Sequence, residues 1–558
     1  MSAQATQSLW AIPLGGLGEF GMNMMALRYG DDIIVIDAGM MFPEVELLGV
    51  DVVIPDISYL KQNREMVRAI VLTHAHEDHI GALPYILRDL NVPIYGTRFT
   101  LELVRRRLDE HGLTETAKLH EIKAKGSLQL GPFTLEFIHV THSTIDCVAL
   151  AIRTPLGIII HTGDFKIDPT PIDMIPFDLH AFARYGQEGV LALFSDSTNV
   201  ERSGFTPSER AIWPRMEELV RAAPRRVFVT CFASSIHRIQ QVMDIAVASG
   251  RKIGIIGRSM ESNVETSHNL DLLRIPDGSL VRQQDLRQYD HKKLVVLVAG
   301  SQGEPMSALS RLALDNHRTM SINDRDTLIL SARLIPGNEK AIFRMIDHLF
   351  RRQVLVYYEG SASAPIHVSG HASQEEMKLL LNLVRPKYFI PMHGEYRQLF
   401  RHAALAEQVG AVSGEIIMLE SGQPVEFTSE GAFRREPIPS GRVLVDSGSL
   451  EELEDVVIRD RRHLAEDGVV VPIIAIDKHT GKVESRPEIV TRGFLPSDDG
   501  QEMMGRMRDV ILRTIEQSNA EEKGDWGVIK EKIRADLKRF LNKQTSKRPM
   551  ILPVILEV

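Results

Sequence analysis

A chain of 558 residues with 44% hydrophobic and 25% charged side chains has the make-up of a multidomain globular protein, large enough to bury its cores without covalent staples. A net charge of −9 excludes a uniformly basic nucleic-acid binder, but not a local phosphate site made by metal ions or a basic groove. Two cysteines, Cys147 and Cys231, exclude a disulfide framework and a thiolate zinc site; with a polar start and no run near the ~20 apolar residues of a membrane span, they predict a cytoplasmic protein.

The predicted elements begin with a strand at 9–14, a glycine-rich stretch at 15–21 and a second strand at 24–28. Gly16, Gly18 and Gly21 formally match a dinucleotide fingerprint, but a strand follows instead of a helix, so a tight hairpin is expected. Residues 33–36 form a short buried strand ending at Asp37, and 69–72 another that runs into His74. Helical periodicity covers 80–90, with Pro84 tolerable in the first turn. Strands recur at 133–140, 147–153 and 157–160. From about Thr206 helices (208–222, 236–248) alternate with strands (226–230, 252–256, 293–299, 327–331), which predicts an α/β unit with a parallel sheet. Residues 388–392 form a strand ending at His393. The charge-rich stretch 447–467 reads as a connector. A strand at 469–476, helices around 503–516 and 526–541 and a last strand at 551–558 predict a small α+β domain.

Chemistry concentrates in His74-Ala75-His76-Glu77-Asp78-His79. Four potential ligands in six residues leave the carboxyl end of a buried strand, where open α/β sheets bind their ligands. His74 and His76 can reach one ion while Asp78 and His79 point to another. A metal pair about 3.5–4 Å apart, able to clamp both oxygens of a displacement, needs further ligands. His142 and Asp164 each follow a strand and supply them. Asp37 is expected to support a ligand histidine from behind. His139 and His161 are expected to be hydrogen-bonded histidines of the core, or histidines that support a ligand from behind. These residues predict a two-metal hydrolase of phosphodiester bonds. Arg344, Arg351 and Arg352 read as an ordinary charged helix face.

Asp37, the 74–79 cluster, His142 and Asp164 resemble the successive motifs of the metallo-β-lactamase fold. Ser195-Asp196-Ser197-Thr198-Asn199, Phe205-Thr206-Pro207-Ser208-Glu209, Gly300-Ser301-Gln302-Gly303-Glu304-Pro305, Ile335-Pro336-Gly337-Asn338-Glu339, His367-Val368-Ser369-Gly370-His371, Pro391-Met392-His393-Gly394-Glu395-Tyr396 and the ending at 548–554 look like signatures of the bacterial ribonuclease J family, in the β-CASP branch of that superfamily. The resemblance implies an αββα metallo-β-lactamase domain (1–205 and 366–446) interrupted by a β-CASP α/β domain (206–365), then a linker (447–467) and a C-terminal α+β domain (468–558).

It also implies roles. One ion would take His74, His76, His142 and Asp164, and a second Asp78, His79, Asp164 and His393, with Asp164 bridging and the ions zinc or manganese. Asp78 would help orient a metal-activated hydroxide, and His371, oriented by Asp196, would protonate the leaving oxygen. His367, Val368, Ser369, Gly370 and His371, with Ser234 and Ser235, would hold a 5′-phosphate. Ser235 departs from the usual asparagine, Met22 stands where lysine is usual, and the 331–334 stretch is less serine-rich than usual. A structural divalent ion would sit near Leu48 to Asp51 with Asp446. The implied activity is 5′→3′ exonucleolytic and endonucleolytic cleavage of single-stranded, preferably 5′-monophosphorylated RNA, in RNA maturation and decay, by a homodimer or homotetramer that can join an RNA-decay complex. The alternatives are a small-molecule metallohydrolase of the same superfamily and a weakly active structural subunit of an RNA-decay complex.

Overall fold

The computed structural model describes residues 8–43, 47, 49–304, 306–335, 337–360, 364–446, 451–452, 455–477, 482–494, 500–518, 526–545 and 547–558. Leu48, Pro305, Pro336 and residues 447–450 and 453–454 of the expected connector lie outside them. The chain forms two compact units, Met1–Phe42 with Val53–Val443, and Pro43–Val52 with Leu444–Val558.

The first unit is built on strands buried on both faces, which is why they read as nearly continuous apolar runs. Leu9–Gly15 and Met24–Tyr29 pair antiparallel, Leu9 opposite Tyr29 and Ile12 opposite Ala26. Between them Gly16, Gly18 and Gly21 adopt φ of 82°, 87° and 85°, so the glycines close a hairpin and open no helix. The sheet continues through Asp32–Ile36, Val67–Val71, Ile94–Gly96 and Leu119–Glu121, and on its other side takes in Val425–Phe427 and Ala432–Arg434 from far along the chain. A second sheet runs in the order Glu415–Ile416, Tyr388–Met392, Val190–Asp196, Gly157–His161, Val148–Thr154, Phe133–His139, Ser127–Leu130. The two sheets share a core that includes Leu27, Ile34, Phe137, Leu150, Phe194, Ile390 and Phe427. Helices Leu179–Glu188 and Gln374–Val384 cover the outer face of the second sheet through Phe182, Tyr185, Met377 and Leu381. This is the expected αββα sandwich.

Within the same unit, Lys252–Ile256, Leu294–Val298, Val227–Thr230, Thr327–Leu330 and Leu355–Tyr357 form the expected parallel sheet, every neighbouring pair parallel. Apolar clusters pack on both of its faces. In the second unit Val469–Ile476 alternates buried and half-buried residues. It pairs with Glu488–Arg492, Met550–Ile551 and Val554–Glu557. Helices Gly500–Glu516 and Trp526–Thr545 lay Met507, Ile511, Ile515, Ile529, Ile533, Leu537 and Leu541 on this sheet, a stripe repeating every four residues.

Four local expectations differ from the structure, the first being the last strand, expected at 551–558 and found as two, Met550–Ile551 and Val554–Glu557, with Pro553 between them. The helix expected at 80–90 is two, Glu77–Ile80 and Leu83–Asp89, separated at Gly81, where a Cβ would come within 2.4 Å of Met40 Cγ. The helix expected at 208–222 starts as a 3₁₀ turn, Glu209–Ile212, and becomes α-helical at Trp213, because Pro214 brings no backbone donor to the first turn. Much of the expected connector is a helix, Asp455–Asp467, whose mixture of charges and helix-forming residues hid its periodicity.

Candidate metal centre

Five strands deliver the site. His74 follows Val67–Val71, His142 follows Phe133–His139, Asp164 follows Gly157–His161, Asp196 ends Val190–Asp196 and His393 follows Tyr388–Met392. Asp37 and His393 sit at φ 60° and 56°, a left-handed backbone uncommon outside glycine that aims both side chains sharply out of their strands.

The expected ligands come together in two clusters that share Asp164. In the first, His76 Nδ1 lies 3.2 Å from His74 Nε2 and 3.1 Å from His142 Nε2, while Asp164 Oδ2 lies 3.5 Å from His74 and 3.6 Å from His142. In the second, Asp164 Oδ1 lies 3.3 Å from His79 Nε2 and 3.5 Å from His393 Nε2, and Asp78 Oδ2 lies 3.2 Å from His393 and 3.7 Å from His79. Bonds of about 2.0–2.1 Å in a tetrahedron set ligand atoms about 3.3 Å apart. Both clusters match that spacing. Among the described residues Asp164 Oδ1 is buried and finds no hydrogen-bond partner. This donor set fits a pair of divalent ions.

The outward nitrogens explain why the inward ones are free. His79 Nδ1 donates to Asp37 Oδ2 at 2.8 Å, and Asp37 is itself held by Thr73 N and Thr73 Oγ1, both at 2.8 Å. His142 Nδ1 donates to the Gly370 carbonyl at 2.7 Å. His393 Nδ1 is 2.7 Å from Thr198 Oγ1, and His74 Nδ1 is 3.0 Å from Thr73 Oγ1. Such outer partners fix the tautomer and point the lone pair inward.

Burial holds His74 and His142 well below the ordinary imidazole value and pushes His76 down to about 4, so all three are neutral donors. Burial pulls on His79 and His393 as well, but the Asp164 and Asp78 carboxylates outweigh it, lifting His79 far up and His393 to about 9. Burial is likewise outweighed at Asp164, where the surrounding imidazoles hold the carboxyl well below the usual range. The second cluster thus carries a surplus of negative charge that protons, or a divalent cation, neutralise.

Beside the ligands, His371 Nδ1 donates to Asp196 Oδ2 at 2.7 Å. Its ring centroid lies 4.8 Å from that of His142 and 5.5 Å from that of His393. His371 keeps some solvent access while Asp196 is fully buried. The 367–371 loop is tied down by Asn199, whose amide donates to Ser369 Oγ (2.8 Å) and the His371 carbonyl (2.9 Å), and by Thr206 Oγ1, which donates to the same carbonyl at 2.7 Å. Gly370 fits only as glycine, since a Cβ would stand 2.7 Å from Ser143 N. Ser234 and Ser235 open the helix Ile236–Ala248, and Arg238, one turn along, reaches the loop at the Val368 carbonyl (3.2 Å).

His161 is buried and accepts from Gly163 N, as a core histidine would, whereas His139 is only half-buried and approaches the Ile175 carbonyl at an exposed position, so it is not a core residue. In the second unit Asp51 N donates to the Val445 carbonyl, while Asp446 lies 3.4 Å from Arg461. Among the described residues no grouping of histidine, cysteine, aspartate and glutamate forms around that pair. Sequence reasoning missed Arg238, which also pairs with Glu209. Its signal was an arginine inside an apolar helix stripe, between Ile236 and Ile239. It also gave no role to Arg333, which donates to Asn199.

Comparison with known proteins finds the metallo-β-lactamase superfamily over residues 17–199, the ribonuclease J β-CASP domain over 224–349, a Zn-dependent metallo-hydrolase RNA specificity domain over 364–418 and the ribonuclease J C-terminal domain over 456–558. Among curated proteins, ribonuclease J2 of Bacillus subtilis is 38% identical over 558 residues, covering 100% of both chains. Ribonuclease J of Thermus thermophilus is 42% identical over 98% of this chain and 95% of its own. A solved protein of unknown function from Enterococcus faecalis shares the fold over 75% of this chain and 100% of its own, with a TM-score of 0.53 at 16% identity. With full-length identity at this level and a matching domain along each stretch, the chain belongs to the ribonuclease J family of the metallo-β-lactamase superfamily.

Proposed function

We propose that this metal-dependent ribonuclease degrades single-stranded RNA 5′→3′ from a 5′-monophosphorylated end, one nucleotide at a time, and also cuts internally, in RNA maturation and decay. The observation that carries the reading is one continuous set of contacts. Two ligand clusters share Asp164, His371 stands against them on Asp196, and the 367–371 loop is hydrogen-bonded to His142 through Gly370.

His74, His76, His142 and Asp164 would hold one ion and Asp78, His79, Asp164 and His393 the other, zinc or manganese both suiting such mixed ligands. Two ions bound there would activate water and neutralise charge gathering on the scissile phosphate. The chain's own residues do the rest. Asp78, with its Oδ2 facing the second cluster, helps to orient the attacking water. His371, held at Nδ1 by Asp196, gives its Nε2 proton to the leaving 3′ oxygen as the phosphorus–oxygen bond breaks. The attacking oxygen stays on phosphorus, so the shortened RNA carries a new 5′-phosphate. Ser234, Ser235, His367, Val368, Ser369 and Gly370 offer hydroxyls and N–H groups to that phosphate, which registers the chain end without reading a base.

A homodimer or homotetramer is part of the reading, supported by the C-terminal strand Val554–Glu557, where Val554 and Leu556 are exposed. A cytoplasmic location is supported by two buried, unpaired cysteines. Among the described residues no helix is long and apolar enough to cross a membrane. The deciding experiment digests one RNA sequence carrying a 5′-monophosphate, a 5′-triphosphate or closed into a circle, with zinc and then with manganese. Mononucleotides from the monophosphate, slower attack on the triphosphate and fragments from the circle are expected. Intact RNA in all three, with a thioester or β-lactam cleaved instead, overturns the proposal.

A further inference from the structure

Arg238 is 2% exposed, and each hydrogen on its two terminal nitrogens has an acceptor. Nη1 donates to the Ser331 carbonyl at 2.8 Å and contacts His367 Nδ1 at 2.6 Å. Nη2 donates to Glu209 Oε1 and Oε2 at 2.9 and 2.8 Å and to the Val368 carbonyl at 3.2 Å. Glu209 in turn faces Lys166 at 3.5 Å, and Lys166 faces Asp168 at 3.7 Å. A buried chain of four charges is costly to assemble, and apolar residues of similar volume would stabilise the same space as well or better. Its presence calls for an orienting role.

A guanidinium has five donors and no acceptor, and it does not lose its proton. His367 Nδ1, at 2.6 Å from Nη1, must therefore be an acceptor and carry no hydrogen. Burial, and after it the charge of Arg238, holds His367 well below the usual imidazole value, so the ring is neutral with one proton. That proton is on Nε2. His367 Nε2 is buried and, among the described residues, hydrogen-bonds to nothing. Ser235 Oγ, at the start of the helix that carries Arg238, is also buried and, among the described residues, unpartnered. Buried donors without acceptors are rare and need an explanation.

We propose that Arg238 is a positioning residue of the RNA-end pocket: it fixes His367 as the Nε2–H tautomer, so that a neutral N–H donor meets the 5′-phosphate. The inference rests on the end recognition proposed above. One side chain also fastens Val368 and Ser331 to the helix that begins at Ser234 and Ser235, so both halves of the pocket are held by the same planar fork. Lysine brings the charge but not the fork, and it cannot serve four acceptors in one plane.

Two measurements on the full-length, zinc-loaded protein test this. Nitrogen-15 spectra of histidine-labelled protein, with His367 assigned through its loss in His367→Asn, should show Nδ1 without a proton and Nε2 with one. Arg238→Lys should give a mixture of tautomers. In the same variant the preference in kcat/KM for 5′-monophosphorylated over 5′-hydroxyl RNA should fall roughly 10-fold or more, through KM, as expected when a hydrogen bond to a charged group is lost. A proton on Nδ1 in the wild type overturns the proposal, and does so even if Arg238→Lys fails to fold. An unchanged preference in a folded Arg238→Lys overturns it too. A wild type with the expected tautomer but no preference for a 5′-monophosphate refutes end recognition, and with it the ligand assigned to His367, while leaving the hold of Arg238 on the ring intact.

Discussion

Replacing Asp37 with asparagine changes one atom behind the metal centre and should empty half of it. Asp37 accepts three hydrogen bonds at 2.8 Å, from Thr73 N, Thr73 Oγ1 and His79 Nδ1. In Asp37→Asn the carbonyl oxygen can keep Thr73 N, which leaves the amide NH₂ facing Thr73 Oγ1 and His79 Nδ1. The hydroxyl can turn and accept. His79 can avoid a clash of two donors only by moving its proton to Nε2, the atom that lies 3.3 Å from Asp164 Oδ1 and would bind the second ion. A protonated nitrogen cannot be a ligand. Loss of an outer partner usually weakens metal affinity about 10- to 100-fold, and a forced wrong tautomer belongs at the upper end, near 2.8 kcal/mol by about 1.4 kcal/mol per tenfold. Asparagine is chosen over alanine because alanine would also leave Thr73 N buried without an acceptor. The assay is metal per chain by elemental analysis after dialysis against buffered free zinc, with a melting curve to show folding. One ion retained, the second lost and RNA cleavage abolished is the expected result. A folded Asp37→Asn that holds two ions with wild-type affinity would refute the roles given to both Asp37 and His79.

Three further outcomes are expected. His371→Gln should slow cleavage by roughly 10²–10⁴ while both ions stay bound, and a loss of metal instead would make His371 a ligand rather than an acid. In Gly370→Ala the new Cβ would lie 2.6 Å from Ser143 Cβ and force the loop away from His142. A rise in KM for monophosphorylated RNA together with weaker metal binding, both measurable by titration, is therefore expected. Glu209→Gln leaves the buried Arg238 without its carboxylate and Lys166 with Asp168 alone, at a cost of about 3–5 kcal/mol near neutral pH. Burial raises the Glu209 carboxyl, but Arg238 and Lys166 outweigh it and hold it below its ordinary value. Its stabilisation is thus complete above the unfolded value of about 4.3 and lost as pH falls through the lower folded value. Denaturant midpoints of wild type and Glu209→Gln should converge as the solution is acidified, and a gap that stays constant would contradict the pairing.

Much of the site was legible because its ligands leave the ends of apolar strands. The runs before His74, His142, Asp164 and His393 each announce a strand, and histidine and aspartate directly after such a run have few other uses. Asp37 could be read in the same way, and it does lie behind His79. Arg238 could not. In sequence it is a charge in a helix, and only the folded chain shows that four acceptors from three distant segments converge on it. The two-part helix at 77–89 was hidden for a related reason, since Gly81 is dictated by the closeness of Met40 and not by any local preference. The helix Asp455–Asp467 was hidden because its charged residues outnumber the apolar ones that would show a period.

The contacts also bear on why cleavage from an end should be regular. His142 is the only expected ligand whose outer nitrogen is held by the proposed phosphate loop, through Gly370 at 2.7 Å. Asn199 binds the same loop at Ser369 and His371, and it follows directly on Thr198, which holds His393. A terminal phosphate bound at 367–370 is therefore fixed relative to one ligand of each cluster by hydrogen bonds. No flexible linker intervenes. If the phosphate and the scissile bond are one nucleotide apart in such a frame, the step size is set by the fold. Longer products would require the loop to shift against His142, which the hydrogen bond from His142 Nδ1 to the Gly370 carbonyl opposes. Gly370→Ala should then do more than weaken binding. By displacing the loop it should blur the product ladder, releasing di- and trinucleotides beside mononucleotides on a sequencing gel. A ladder of mononucleotides alone, from a Gly370→Ala enzyme with raised KM, would show that step size is set elsewhere.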